Sequence, residues 1–598
     1  MCWAFPPSTH SPLQWNGRTR QSSRARGTPM KKVFAYAFPA ILLLAAVLII
    51  RALDDPQSRE VIVDFAVSDF GEGRYEVGSI TEYVRNPNAA FDPWGARYGG
   101  EPYRALLEEI SASGEPRTIV TEIWYPADRV EGAKRATYGD YVAGDEYLAQ
   151  LLLSPFGQWI SEGQWDDLAG ELTGLARGSY VGAPAVEDAF PLIVLVHGLG
   201  GRRADWNDTA ELLASRGYVV AAMTMPSDGG VAPVFADSDS RFAAESDANR
   251  LALAYYVMGE DFKMYPRMYQ YLYGLELEVQ DFRDSPLPDL SDAVAPSGGA
   301  ERMAEMMARL LQQRVDDIGT VIDHLNMLAS SRATCIAHFE TLNLSSRHCG
   351  LLEGRVDLGR IGIAGHVLGS MTAQVALRQL PELAAGFGLN GGSLIRWEPQ
   401  AYGIAPVHTL ENIEEPMFFL HGTEDDYAYF LFQQLMGDWY EQAGGSRHEI
   451  FASPNELAPR TDRRTQPLVH AAYYRATGQK MIASVIDGGT YGVDDSTLIR
   501  FLADRGVEMP SIARRLPVHE KAEFSRNFQI LGKAVDTENQ AFRLPTFIAH
   551  YYLSAWFDLQ LKSSSGALDR LLDPPFLDHV TVRQSGLHQP RRSYGRIH

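Results

Sequence analysis

The stretch Arg360-Ile-Gly-Ile-Ala-Gly-His-Val-Leu-Gly-Ser-Met-Thr-Ala373 decides the fold. Ile361 to Ala364 is apolar and short, so it reads as a buried strand. Gly365-His366-Val367-Leu368-Gly369 follows as a tight turn, and small residues including Ser370 and Ala373 open a helix. This is the layout of a G-x-S-x-G elbow, which lifts a serine off the end of a central strand. The glycines suit it, because the turn is strained and the helix must come close to the strand. The apex residue does not suit it. It is Val367, and an isopropyl group has no atom able to attack a carbonyl.

Moving outward, Val315, Ile318, Val321, Ile322, Leu325 and Leu328 keep helical spacing ahead of the elbow. Further upstream, Pro191 to Val196 is an apolar run of strand length that ends in His197-Gly198-Leu199-Gly200-Gly201. A short helix, Thr209 to Arg216, stops at Gly217, and Tyr218 to Met223 is the next strand. This rhythm of strand, loop, helix and strand predicts a doubly wound, mostly parallel sheet. Tyr75 to Val84 and Thr118 to Trp124 read as earlier strands, whereas residues 128–187 carry no clear pattern. Downstream strands are Ala385 to Leu389, before Asn390; Met417 to Leu420, before His421; and Ala483 to Ile486, before Asp487. A last helix aligns Phe547, Ile548, Tyr551, Tyr552, Ala555, Trp556 and Leu559 on one face.

These readings divide the 598 residues as follows. Residues 1–29 form a disordered basic tail with Arg18, Arg20, Arg24 and Arg26. Residues 30–54 hold an uncharged run, Val33 to Ile50, just long enough to cross a bilayer. Lys31 and Lys32 precede it and Asp54 and Asp55 follow, so the bulk of the chain is expected outside the cytoplasm, periplasmic or extracellular. Without a convincing cleavage site the run reads as a signal-anchor or transmembrane helix; if it is cleaved, the protein is secreted. Residues 60–573 make the main domain, with an insertion at about 227–313 and an irregular tail at 574–598. The insertion carries Met264, Tyr265, Met268, Tyr269, Tyr271 and Tyr273. It reads either as helices packed on the body or as a cap whose pliable walls suit an apolar ligand.

A net charge of −21 argues against a nucleic-acid partner. Three cysteines are too few for a disulfide scaffold, though Cys335 and Cys349 either bridge in an exported domain or stay as reduced thiols. Nothing in the sequence has the spacing of a metal site, and no cofactor is implied.

Trp124-Tyr125-Pro126, His197 to Gly201, Arg314-Val315-Asp316-Asp317, Gly365 to Gly369 and the last helix, in that order, resemble the α/β-hydrolase superfamily. The resemblance is to its platelet-activating-factor acetylhydrolase-like and dienelactone-hydrolase-like esterases. It covers roughly Tyr75 to Lys562 apart from the insertion, and implies an α/β-hydrolase fold with a helical cap. Such enzymes use a serine, an acid and a histidine in that order, with backbone N–H groups holding the oxyanion. The resemblance places the nucleophile at Val367, the acid at Asn390, the histidine at Thr490 and the oxyanion donors at Leu199 and Leu368. Dienelactone-hydrolase-like enzymes place the acid one strand later, which makes Asp425 the alternative. Ser370 opens the helix and reads as a small packing residue, and His366 as packing under the turn. His421, His470, His519 and His550 have no context that marks a base.

Valine, asparagine and threonine cannot do the work of the triad. The expectation is therefore a catalytically degenerate, membrane-anchored α/β-hydrolase, a pseudoenzyme that binds an acyl or lipid-like ligand or a protein partner. The alternatives are an active serine-type carboxylic ester hydrolase with a rearranged triad, and an esterase disabled in this copy alone.

Overall fold

The computed structural model describes residues 73–90, 116–128, 131–153 except 143 and 145, 160–198, 201–225, 299–389 except 343, 413–422, 479–485, 543–574 and 580–585. Leu587 and a few positions between 498 and 507 are also described. The chain divides into two compact units, residues 1–58 and 59–598, and all described residues belong to the second.

Its strands are β1 (Glu76–Ala90), β2 (Pro116–Ala127), β3 (Arg135–Thr137), β4 (Ala176–Val181), β5 (Phe190–Val196), β6 (Val219–Thr224), β7 (Val356–His366), β8 (Leu383–Leu389), β9 (Met417–Gly422), β10 (Lys480–Val485) and β11 (Val580–Ser585). They form one sheet in the order β11-β10-β9-β8-β7-β5-β6-β2-β1-β4-β3. From β6 through β5, β7, β8 and β9 to β10 every neighbour is parallel. Antiparallel pairs lie outside that block, at β2–β6, β1–β2, β3–β4 and β10–β11.

The helices are α1 (Glu146–Leu153), α2 (Trp165–Gly174), α3 (Asn207–Ser215), α4 (Gly299–Ala329), α5 (Arg332–Thr341), α6 (Leu368–Gln379), α7 (Arg543–Gln560) and α8 (Ala567–Leu572). Successive side chains of a strand point to opposite faces, so each central strand feeds two cores. Ile193 and Leu195 of β5 pack with α1, α2, α3 and α7, whereas Leu192, Val194 and Val196 pack with α4 and α6. Every residue of β5 and β6 is buried, which explains why both strands are unbroken apolar runs. Helices on both faces of a largely parallel sheet, with the elbow at the central β7, make this an α/β-hydrolase fold.

Three expectations are corrected. The tail is not irregular throughout, because Val580–Ser585 pairs with β10 as an antiparallel edge strand. The helix expected from Val315 is longer than its spacing suggested, because α4 begins at Gly299, within the span given to the insertion, and runs unbroken to Ala329; residues 227–298 lie outside the described residues. The unpatterned stretch 128–187 holds β3, α1, α2 and β4. Among the described residues no helix is long and apolar enough to cross a membrane, and the run 33–50 lies outside them.

α4 is tied to the body by three buried polar contacts spaced to lie on one helix face. Arg314 donates to loop carbonyls after β5. Asp317 accepts two bonds from Arg117 of β2, Nε to Oδ1 at 2.8 Å and Nη2 to Oδ2 at 2.7 Å. His324 Nε2 meets Glu82 Oε2 of β1 at 2.9 Å, and His348 Nδ1 meets the other oxygen of Glu82. The hydrogen bonds and charges of the two histidines outweigh burial, which acts the other way, and hold the Glu82 carboxyl down at about 2. Beside this cluster Cys335 of α5 and Cys349 form a disulfide, with Cα atoms 5.6 Å apart.

Candidate functional site

The site is the carboxyl edge of β5, β7 and β8. Val367 is its apex, between the end of β7 and the first residue of α6, with φ 49° and ψ −110°. Among the described residues only Val367 and Ser563 combine a side chain with positive φ. A β-branched residue is a strong outlier there. Two flanking glycines leave the chain no other path. A Cβ on Gly365 would sit 2.0 Å from the Gly369 carbonyl oxygen, and one on Gly369 would sit 2.1 Å from the Val196 carbonyl oxygen. The elbow is also fastened to β8, since the Val367 N–H donates to the Leu389 carbonyl at 2.8 Å.

Ser370 is the third residue of α6 and is fully buried. A Cβ on Gly388 of β8 would come within 2.3 Å of its Oγ, so the hydroxyl fills the gap between α6 and β8. It does not reach the apex position as a replacement nucleophile.

The loop after β5 faces the elbow. A Cβ on Gly198 would lie 3.6 Å from Val367 Cβ and 3.8 Å from His366 Nδ1. His197 is buried and uses both ring nitrogens to shape this loop. Its Nε2 accepts the Met225 N–H at 3.0 Å, so the ring proton resides on Nδ1, which donates to the Gly198 carbonyl. Burial, helped by the nearby Arg314 charge, pushes the imidazole down to about 3. The ring is therefore neutral near neutral pH, and its lone pair is already occupied. His550 is also committed, with Nε2 sharing a hydrogen bond with Thr209 Oγ1 of α3 at 2.8 Å, and burial pushes it down to about 4. His421 is buried near the end of β9.

The elements therefore bring Val367, Leu368, His366 and the His197–Gly198 end of the loop together. Leu199, Asn390, Asp425, Thr490, His470 and His519 lie outside the described residues. Among the described residues no group of three or more histidine, cysteine, aspartate or glutamate side chains is placed to hold a metal ion. Arg314 and Met225, which hold the loop, were assigned no function in the sequence reading, although Arg314 belongs to one of the motifs that carry the resemblance. The signal for Arg314 was present in Arg314-Val-Asp-Asp317, two charged residues on the buried side of an otherwise apolar helix face.

A solved structure, a ferulic acid esterase from Streptomyces cinnamoneus, aligns with 85% of this chain and 96% of its own length, at 18% identity and a TM-score of 0.45. The family described as platelet-activating factor acetylhydrolase, isoform II, matches residues 72–263. That span takes in β1 to β6, including the loop that begins at His197, on a sheet whose central strand ends in the elbow. The chain has an α/β-hydrolase fold and over residues 72–263 is similar to this acetylhydrolase family. The matched span stops before Val367, so the likeness covers the loop that begins at His197 and not the elbow.

Proposed function

We propose that this chain is a catalytically degenerate α/β-hydrolase that binds an acyl or lipid-like ligand, or a protein partner, at the esterase site without turning it over. One observation carries the reading: the apex of the elbow, with the strained backbone that presents a nucleophile, is a valine. The sequence assignments of Asn390 and Thr490 to the acid and base positions support it. Removing a whole triad lowers turnover by about six orders of magnitude in a serine protease, leaving roughly 10³–10⁴ over water. The proposal extends to location. The apolar run 33–50 anchors the domain outside the cytoplasm, and a Cys335–Cys349 disulfide supports an oxidising compartment.

The test compares the protein lacking residues 1–54 with the same protein carrying Val367→Ser, Asn390→Asp and Thr490→His. A short-chain activated ester is the substrate and a fluorophosphonate is the covalent probe. The expected result is turnover and labelling in the triple variant alone. Labelling of the unsubstituted protein would overturn the reading and point to a nucleophile elsewhere. A topology reporter fused at the carboxyl end tests the anchor, which predicts signal only from an extracytoplasmic reporter.

A further inference from the structure

The sequence reading gave Arg314 no function, and the site needs none of its charge for chemistry. Yet it is a fully buried guanidinium aimed at the loop after β5, which faces the elbow. Nη1 donates to the His197 carbonyl at 2.9 Å, and Nη2 points at the Gly198 carbonyl at 3.4 Å. The same Gly198 oxygen accepts from the Gly201 N–H at 3.2 Å and from His197 Nδ1. Two successive carbonyls are thereby turned inward, toward α4. A peptide unit's N–H points opposite to its C=O, so fixing these carbonyls fixes the directions of the next N–H groups. Those are the N–H groups that an oxyanion loop must present outward.

We infer that Arg314 is the positioning residue of this loop, setting the direction of its N–H groups by gripping the His197 and Gly198 carbonyls from α4. The inference rests on reading the loop as the anion-facing wall of the esterase site. A bidentate grip on two carbonyls needs the planar fork of arginine, which lysine lacks. The neutral state of His197 agrees, because a protonated ring would face the Arg314 cation and give up its bond from Met225. Asp317, one turn along the same helix, grips Arg117 and leaves the loop alone.

Amide exchange read by mass spectrometry on the whole chain tests the inference, with Arg314→Lys as the probe and Asp317→Asn as the matched control. Arg314→Lys keeps the charge and loses the fork. It is expected to speed exchange at Gly201 and Met225 about tenfold beyond its effect on the amides of β5 and β6, whereas Asp317→Asn, which weakens the fold as a whole, speeds the two sites no more than those strands. No change in Arg314→Lys, or an equal change in both variants, would overturn the inference. A second arm places Arg314→Lys in the background of Val367→Ser, Asn390→Asp and Thr490→His. There kcat is expected to fall about 10²-fold with KM within about threefold, as for a misplaced catalytic group. If that background is itself inactive, the triad assignment fails, and the exchange arm still decides the role of Arg314.

Discussion

Val367 donates its N–H to the carbonyl of Leu389 at 2.8 Å, which fastens the apex of the elbow to the last residue of β8. The bond, together with Gly365 and Gly369 on either side, fixes the dihedral angles at 367 independently of the side chain there. Valine then bears a conformation suited to glycine, at a strain of about 1–3 kcal/mol. Val367→Gly relieves it, less the extra chain entropy glycine loses on folding. The expected outcome is a net gain of about 1 kcal/mol, read as a higher urea midpoint at unchanged slope. A lower midpoint would show that the valine methyls contribute more by packing than the backbone loses.

The Arg117–Asp317 pair predicts an asymmetry. Each side chain is about 1% exposed, so removing Arg117 leaves the Asp317 carboxylate buried without its bidentate partner. Arg117→Met is expected to lower stability by about 3–5 kcal/mol. The double change Arg117→Met with Asp317→Leu is expected to recover most of that, because a well-packed apolar pair replaces a desolvated ionic one. Equilibrium denaturation of the two variants beside the parent checks both values.

Stability should fall on mild acidification. His197 and His550 are held at about 3 and about 4, below the ordinary 6.5 of the unfolded chain. Between 6.5 and those values the unfolded state binds more protons than the folded one, so stability drops as pH falls, by up to about 1.4 kcal/mol per pH unit for each ring. Glu82 adds to the loss lower down, from 4.5 toward about 2, as protons reach a carboxylate held ionised by His324 and His348. His550→Gln, which keeps a partner for Thr209, is expected to flatten the slope between about pH 6 and 4. A slope identical to that of the parent would remove His550 from this account.

The Cys335–Cys349 disulfide spans 14 residues in sequence. Closing a loop of that size stabilises by about 3 kcal/mol in the chain-entropy picture. The double change Cys335→Ala with Cys349→Ala is expected to lower the thermal midpoint, and added reductant should move the parent toward the variant. A parent indifferent to reductant under unfolding conditions would mean that the bridge is not formed in solution.

The legible parts of the fold were those buried on both faces. β5 and β6 are continuous buried apolar runs, and each met its expected strand to within one residue at its ends; β8 to β10 did so to within three, whereas β7 begins five residues early through Asp357 and Arg360. β11 was missed because Val580-Thr-Val-Arg-Gln-Ser585 is an edge strand, half polar, and its partner β10 lies about a hundred residues earlier. The first half of α4 was hidden by its charged and methionine residues, which read as part of the insertion. β1 ran past its expected end because Asn86-Pro-Asn reads as a turn, whereas the strand continues through a register shift between Asn86 and Ala90. At the site, the elbow and its valine were plain from spacing alone. The bracing of the loop by Arg314 was not, since it joins residues 117 apart, a relation that no local pattern encodes.

The contacts that shape the elbow have a consequence for how this protein changes over generations. They reach from Gly369 to the end of β5 and from Val367 to the end of β8, and they run entirely through main-chain atoms. Position 367 is therefore a socket whose form does not depend on what is plugged into it. Substitution there is nearly free of any penalty in shape, so reactive and inert residues are interchangeable without refolding. A reactive side chain and an inert one at 367 would be held by the same main-chain frame.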